Sequence, residues 1–322
     1  MSASTAISLE GLTKYYGEVP GIVDLTLEVE RGEVFGFLGP NGAGKSTAIL
    51  TMLGLLTPTR GDARLLGHDV TERAGLLEAK RDIGYIPGDV TFYDRITGER
   101  LLDYFGRLKG DERRDELLDR FPIPESRKIA EYSSGNRQKL AIVQAFMHDP
   151  ELVIMDEPTR GLDPLLQNEF YELIDAEQAA GVTVFFSSHI LSEVRRVCDR
   201  VAIIRDAELV TLEEIDSLLA KSGKVVTATF AESPDPSVFD IAGVPQATVD
   251  TDGRYTLIVT DNYNGLVERL AAFTIRDLEI RQTSLEDVFI HFYGPGEAFT
   301  PDEQPSTTPD PDEHPPDGDG DV

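Results

Sequence analysis

Residues 39–47 read Gly-Pro-Asn-Gly-Ala-Gly-Lys-Ser-Thr, and no other stretch constrains the fold of this chain as tightly. Gly39, Gly44, Lys45 and Ser46 fill every fixed position of G-x-x-x-x-G-K-[ST], and Pro40, Asn41, Gly42, Ala43 and Thr47 complete the loop. An apolar run, Val34 to Leu38, precedes it, and a helix-capable stretch, residues 48–53, follows. A strand, a glycine-rich turn and a helix start are the context that a phosphate-binding loop requires. Glycine lets the backbone wrap closely, so that successive N–H groups face negative charge, and the helix N-terminus adds its positive end. Lys45 is then placed to reach the β- and γ-phosphates of a nucleoside triphosphate, and the Ser46 hydroxyl to ligate Mg²⁺.

A second element supports that chemistry. Residues 152–158 read Leu-Val-Ile-Met-Asp-Glu-Pro, an apolar strand ending in two carboxylates. A carboxylate at the end of a strand beside the phosphate loop can hold Mg²⁺, usually through water, and Asp156 fits that role. Glu157 then sits where it can polarise an attacking water as a general base. By itself an Asp-Glu pair can simply cap a strand; the phosphate loop upstream is what gives this one a chemical reading.

The surrounding pattern predicts an α/β fold. Ile7, Leu9 and Leu12, then Val23, Leu25, Leu27 and Val29 at period two, predict antiparallel strands ahead of the phosphate-loop strand. Residues 55–62 read as a turn-rich connector. From about 97 to 149 the pattern is helical and charged. Residues 152–155, 182–186 and 201–204 are short apolar runs between helical stretches, an alternation that suits a mostly parallel sheet covered by helices. A composition break falls near 212–223, after which residues 224–230, 247–249, 255–260 and 278–281 read as strands. Residues 263–273 and 285–292 read as helices, so this part forms a small α+β module. The stripe of Leu285, Val288, Phe289 and Phe292 is core packing at helical spacing, extended into a dimer contact in one reading. Residues 297–322 form an acidic, proline-rich tail expected to be disordered.

Residues 132–138, Tyr-Ser-Ser-Gly-Asn-Arg-Gln, would alone be a plain helix cap. They lie about 20 residues before Asp156, and with the other motifs they carry a family resemblance. The chain resembles the nucleotide-binding subunits of ATP-binding cassette (ABC) transporters over roughly residues 6–210. That resemblance implies a P-loop NTPase cassette over residues 6–215, with an antiparallel β subdomain and a helical subdomain at about 90–150. It further implies an accessory α+β domain over residues 222–293. By the same resemblance, Tyr16 stacks on adenine, with Tyr15 as its neighbouring alternative, and residues 39–47 and 152–157 are the Walker A and Walker B elements. Ser133, Ser134, Gly135 and Asn136 correspond to the signature that contacts the γ-phosphate from an opposite protomer. Asp163 closes the Gly161-Leu162-Asp163 D-loop, and His189 matches the switch histidine. The implied function is an ATPase that binds ATP and Mg²⁺, pairs as a C₂ homodimer and drives separate membrane permease subunits.

Similarity is closest to subunits of the ABC-2, multidrug- or antibiotic-export type, judged by residues 84–89 and the ending Ser-Leu-Glu-Asp-Val-Phe at 284–289. Export of a drug-like small molecule or a lipid is the expectation. An importer subunit shares the same motor, and a soluble cassette ATPase is the competing class. Two departures stand out. The signature reads Ser-Ser-Gly-Asn where the family commonly has Ser-Gly-Gly-Gln, keeping the hydroxyl and the close backbone approach. The family also places a glutamine at about Gly88, where it contacts Mg²⁺ and relays nucleotide state; here Asp89 or a water would have to substitute.

Charge narrows the partners. The chain of 322 residues carries 58 acids against 30 bases, a formal charge of −28. Residues 301–322 hold eight of the acids and no lysine or arginine, so the other 300 residues still carry −20. Such a balance disfavours nucleic acid, whose phosphates need basic patches. It also disfavours adhesion to anionic lipid by charge alone. No run of 18 apolar residues and no basic, apolar leader occurs, so the expectation is a peripheral protein at the cytoplasmic face of the membrane, held by its permease. The single cysteine, Cys198, permits no internal disulfide and no cysteine-cluster metal site. With only eight lysines among its bases, the dispersed acidity resembles that of halophile proteins adapted to high internal salt. Screening shortens from about 10 Å at 0.1 M salt to about 3 Å at 1 M. The unfolding temperature should therefore climb steeply over that interval in KCl, and a chain truncated after residue 300 should keep most of that salt requirement. A flat thermal-unfolding curve for the full chain would contradict the high-salt reading, and a requirement that disappears with the tail would confine it there.

Overall fold

The computed structural model describes residues 5–217 and 223–282. Three sheets organise them. The central sheet has six strands in the order β10-β9-β3-β8-β7-β6. Their ranges are β3 Val34–Leu38, β6 Ile83–Ile86, β7 Leu152–Asp156, β8 Thr183–Ser188, β9 Arg200–Arg205 and β10 Glu208–Glu214. Neighbours are parallel from β9 through β6, and only β10 runs antiparallel, against β9.

The short apolar runs become central strands because both faces of the sheet are covered. Val34 and Leu38 of β3, Val153 and Met155 of β7, and Val184 and Phe186 of β8 point into one core. That core is shared with the helices α3 (Gly98–Lys109), α4 (Arg114–Arg120), α5 (Ser134–Phe146), α6 (Pro164–Ala179) and α7 (Leu191–Val197). Phe35, Phe37, Ile154 and Phe185 point into the second core. There they meet α1 (Lys45–Met52) and the antiparallel sheet β2-β1-β4-β5. In that sheet β1 is Thr5–Tyr16, β2 Val19–Glu30, β4 Arg60–Leu65 and β5 His68–Asp69. A short helix α2, Arg73–Ala79, leads from β5 back to the edge strand β6.

The remaining module is a four-stranded antiparallel sheet, β12-β13-β11-β14. It is formed by β11 (Lys224–Phe230), β12 (Gln246–Val249), β13 (Arg254–Val259) and β14 (Ile275–Gln282), with helix α8 at Tyr263–Ala271. Its core is an aromatic cluster in which Phe230 stands edge-on to Tyr255 and Phe273 and stacks on Phe239.

Three details differ from the sequence expectation. Helix α1 begins at Lys45 rather than at 48, because the left-handed turn at Gly44, with φ 104°, already aims Lys45 into helical geometry. The connector at 55–62 ends at Thr59, and Arg60 starts β4, whose ladder with β1 outweighs its polar composition. Strand β10 was not foreseen either; it runs into the composition break because the β9 edge supplies its hydrogen bonds. The helix expected at 285–292, its apolar stripe and the tail at 297–322 lie outside the described residues.

Candidate nucleotide site

Strands β3, β7 and β8 are parallel and end at one level, so Leu38 pairs with Ser188 and Asp156 with Ser187. Three loops therefore leave the same edge of the sheet: residues 39–44, 157–163 and 189–190. Carboxyl ends of parallel strands are where open α/β sheets bind ligands. A cavity of about 630 Å³ opens at this edge.

The phosphate loop closes over itself. Lys45 is almost fully buried, and its ammonium donates to the carbonyls of Gly39 at 2.7 Å and Pro40 at 3.2 Å. Ala43 N donates to Pro40 O, which tightens the same turn. Gly44 has no freedom to be another residue: a Cβ there would stand 2.2 Å from the carbonyl oxygen of Gly21. Asn41, Gly42, Gly44, Lys45, Ser46 and Thr47 line the cavity, with Tyr16 at its rim, half exposed.

Asp156 joins the loop to the strands. Its carboxylate accepts from Ser46 Oγ at 2.5 Å and from Ser187 Oγ at 2.9 Å. Glu157 follows in a left-handed conformation, φ 49°, with its N–H donating to Ser187 O at 3.0 Å. A non-glycine residue in that region is held there by its surroundings, and such positions cluster at functional sites. His189 Nδ1 donates to Glu157 Oε2 at 2.6 Å. The Lys45 ammonium stands 3.4 Å from Glu157 Oε1, which is buried and has no hydrogen-bond partner among the described residues. Burial alone would raise the Glu157 carboxyl, but the His189 hydrogen bond and the Lys45 charge outweigh it and hold the group below its ordinary value. The hydrogen bond to Glu157 raises the His189 imidazole despite its partial burial.

A magnesium ion asks for hard oxygen donors and accepts few from the protein. The donor set fits: Ser46 hydroxyl and Asp156 carboxylate already touch, beside a loop of backbone N–H groups. Gly88 lies over this pair, and a Cβ on it would come 3.1 Å from Asp156 Oδ2. A side chain at this position would thus crowd the Asp156 carboxylate, which glycine leaves uncrowded. Asp89 is exposed and lines the same cavity.

The residues matched to the signature sit elsewhere. Ser133 caps α5, its hydroxyl accepting from Asn136 N at 3.3 Å. Ser134 begins α5, and Gly135 packs so closely on the Gly161 carbonyl that a Cβ would stand 3.0 Å from it. Asp163 caps α6, accepting from the N–H groups of Leu165 and Leu166 at 3.0 Å. None of these five lines the cavity around Lys45 within the described chain.

Several cavity residues escaped the sequence reading. Tyr85 and Pro87, at the end of β6, reach Asp156 because β6 pairs with β7. Burial and the Asp156 charge push the Tyr85 hydroxyl up to about 12. Arg160 comes in from the turn after Pro158, and Gly21 and Pro20 from β2. Ser187, which bonds Asp156 without lining the cavity, had a visible signal as a hydroxyl at the end of an apolar strand; the cavity residues had none in spacing or composition.

Comparison with known proteins agrees with this geometry. The family described as ABC transporter matches residues 22–160. The daunorubicin resistance ATP-binding protein DrrA3 of Streptomyces coeruleorubidus is 32% identical over 311 residues, covering 91% of this chain and 97% of that one. The ABC transporter ATP-binding protein NatA of Bacillus subtilis is 39% identical over 209 residues, covering 62% of this chain and 84% of that one. Among solved structures, an ATP-binding subunit of an ABC transporter is 33% identical with a TM-score of 0.62, covering 66% of this chain and 92% of that one. The cassette MJ0796, in a dimeric post-hydrolysis state bound to ADP and Pi, is 24% identical with a TM-score of 0.60, a likeness of fold. It covers 65% of this chain and 98% of that one.

The His189–Glu157 pair has a defined pH signature. The raised imidazole contributes stability that is complete below 6.5, its ordinary value, and lost as pH rises through the raised one. The lowered carboxyl contributes stability that is complete above 4.5 and lost as pH falls through the lowered value. Both charges are therefore fully present between those ordinary values. The unfolding temperature of the wild type minus that of His189→Gln should be largest at about pH 5.5 and shrink by about pH 9. A difference that stays constant across that range would mean the pair is not ionic.

Proposed function

We propose that this chain, which belongs to the ABC transporter family as one of its ATP-binding subunits, hydrolyses ATP at the shared edge of β3, β7 and β8 and uses that work to drive separate membrane permease subunits. The observation that carries the site assignment is the contact set of Asp156 with Ser46 and of Glu157 with Lys45 and His189. Phosphoryl transfer to water needs positioning and charge stabilisation more than covalent chemistry. Backbone N–H groups of residues 39–47 and the α1 N-terminus take up phosphate charge, and Tyr16 offers its ring to the adenine. Lys45 exchanges its loop carbonyls for phosphate oxygens. Ser46 and Asp156 would hold Mg²⁺, which when bound would supply positive charge against the phosphate oxygens. Glu157, kept ionised below its ordinary range, accepts a proton from the attacking water, and His189 orients that carboxylate and senses the γ-phosphate.

The remaining assignments follow from position. Ser133, Ser134, Gly135, Asn136 and Asp163 serve the site of a second protomer, since their own chain holds them away from its cavity. A C₂ homodimer with two composite sites satisfies this arrangement. No helix among the described residues is long and apolar enough to cross a membrane, and membership of the family supports separate permease subunits as its partners. Residues 85–93 connect the two working surfaces: Tyr85 lines the nucleotide cavity, and Tyr93, 79% exposed, lines an apolar groove of about 760 Å³ with Phe92, Ile96, Tyr104 and Phe105. That groove is the docking surface for the permease. Likeness to a daunorubicin resistance protein, and to a probable multidrug ABC transporter ATP-binding protein of Escherichia coli, supports export of a drug-like small molecule or lipid.

Glu157→Gln should keep ATP binding, accumulate a closed dimer on size-exclusion chromatography and lose at least about 100-fold in ATP turnover. Near-normal turnover would place the base elsewhere. Mixing Lys45→Ala with Ser133→Arg protomers should restore part of the ATP-dependent dimerisation that each lacks alone, because one composite site per mixed dimer is intact. Dimerisation in the mixture no higher than in either variant would rule out the head-to-tail arrangement.

A further inference from the structure

Glu193 lies in the first turn of α7, is 5% exposed, and does not line the nucleotide cavity. Its carboxylate accepts hydrogen bonds from three hydroxyls on three separate segments. Thr159 Oγ1 donates to Oε1, Tyr171 OH donates to Oε1 at 3.2 Å, and Ser188 Oγ donates to Oε2 at 2.7 Å. A carboxylate taken out of water is costly unless its oxygens are bonded, so this group and its donors are fixed together. The donors occupy telling positions. Thr159 is two residues after Glu157, and Ser188 immediately precedes His189. Ser188 Oγ also accepts from Ile190 N at 2.9 Å, so the turn carrying His189 is held from both sides. Tyr171 belongs to α6 and ties the cluster to the helical layer. The close seating of α7 depends on Gly36 in β3, where a Cβ would stand 2.8 Å from Val194 Cγ1 and 3.2 Å from Cys198 Sγ.

We propose that Glu193 is a positioning residue for hydrolysis: its carboxylate ties the turn that follows Glu157 to the turn that precedes His189 and thereby sets the 2.6 Å contact between those two side chains. The inference rests on the roles given above to Glu157 and His189. Neither loop can shift relative to the other without breaking a bond to a buried carboxylate, which is costly to leave half satisfied. A role in stability alone would lower the unfolding temperature without a selective effect on turnover.

Steady-state and single-turnover ATPase assays on the full chain test this, alongside fluorescent-nucleotide binding. Glu193→Ala should lower kcat by about 10-fold or more while nucleotide Kd stays within about three-fold. Glu193→Gln, whose amide can bond the same hydroxyls, should return kcat to within about three-fold of wild type. Thr159→Val and Tyr171→Phe each remove one donor with little change in shape and should show the same kcat-selective loss to a smaller degree; they carry the test if Glu193→Ala does not fold. In a Glu157→Gln background, Glu193→Ala should add less than about two-fold, because the base it positions is gone. Wild-type kcat in Glu193→Ala, a loss that Gln does not rescue, or a full multiplicative loss on top of Glu157→Gln would each overturn the positioning role. Normal turnover in Glu157→Gln alone would overturn the assignment of the base instead, so the two failures are separable.

Discussion

Asp156 accepts hydroxyl hydrogen bonds from Ser46 and Ser187, and this contact locks the first turn of α1 against the ends of β7 and β8. It exists only because three parallel strands finish at the same level, a register set by burial on both faces of the sheet. Shifting β7 by one residue would turn Val153 and Met155 away from the helical core and carry Asp156 out of reach of Ser46. The site is thus a consequence of how the two cores pack. The helices supply one core and the antiparallel sheet the other, and the loops that carry the chemistry emerge where neither covers the strand ends.

Charge organises the next level. A chain with a formal charge of −28 buries Lys45 within reach of two carbonyls and Glu157, and places that one ammonium beside a loop of N–H donors. The cavity sets Lys45 and Arg160 against Asp89, Asp156 and Glu157, so these two cations and the loop N–H groups together offset the carboxylates where a polyphosphate would bind. Glu157 is kept below its ordinary range by His189 and Lys45 in spite of its burial, so the base role proposed for it rests on the same contacts that surround it with cations. Behind them Glu193 gathers hydroxyls from the segments that follow Glu157 and precede His189 and from a helix, the buried contacts on which the proposed positioning of those two side chains rests.

Gly88 marks where this chain differs from the pattern it resembles. A Cβ on it would come so close to Asp156 that a side chain would crowd that carboxylate. The segment nevertheless runs from the nucleotide cavity at Tyr85 to the apolar groove at Tyr93, so a path between the two surfaces persists through the backbone and its aromatic residues.

What the sequence determined by itself was local. Residues 39–47 announce a phosphate loop because steric freedom at glycine, a terminal lysine and a hydroxyl are needed in one short order, and nine consecutive residues can state that order. The apolar runs at β7, β8 and β9 announce buried strands for the same reason: hydrophobicity is carried by the residues themselves. Tertiary structure alone decided that Ser187 would bond Asp156, that Tyr85, Pro20 and Arg160 would share the cavity, and that Glu193 would collect Thr159, Tyr171 and Ser188. Strands β4 and β10 belong with these, since polar segments become strands when a neighbouring edge supplies their hydrogen bonds. Partners of that kind are separated by 5 to 34 residues around Glu193 and by 31 between Asp156 and Ser187, distances that no local pattern encodes. The common register of the parallel strands brings Ser187 to Asp156, and the packing of α6 and α7 brings Tyr171 and Glu193 together.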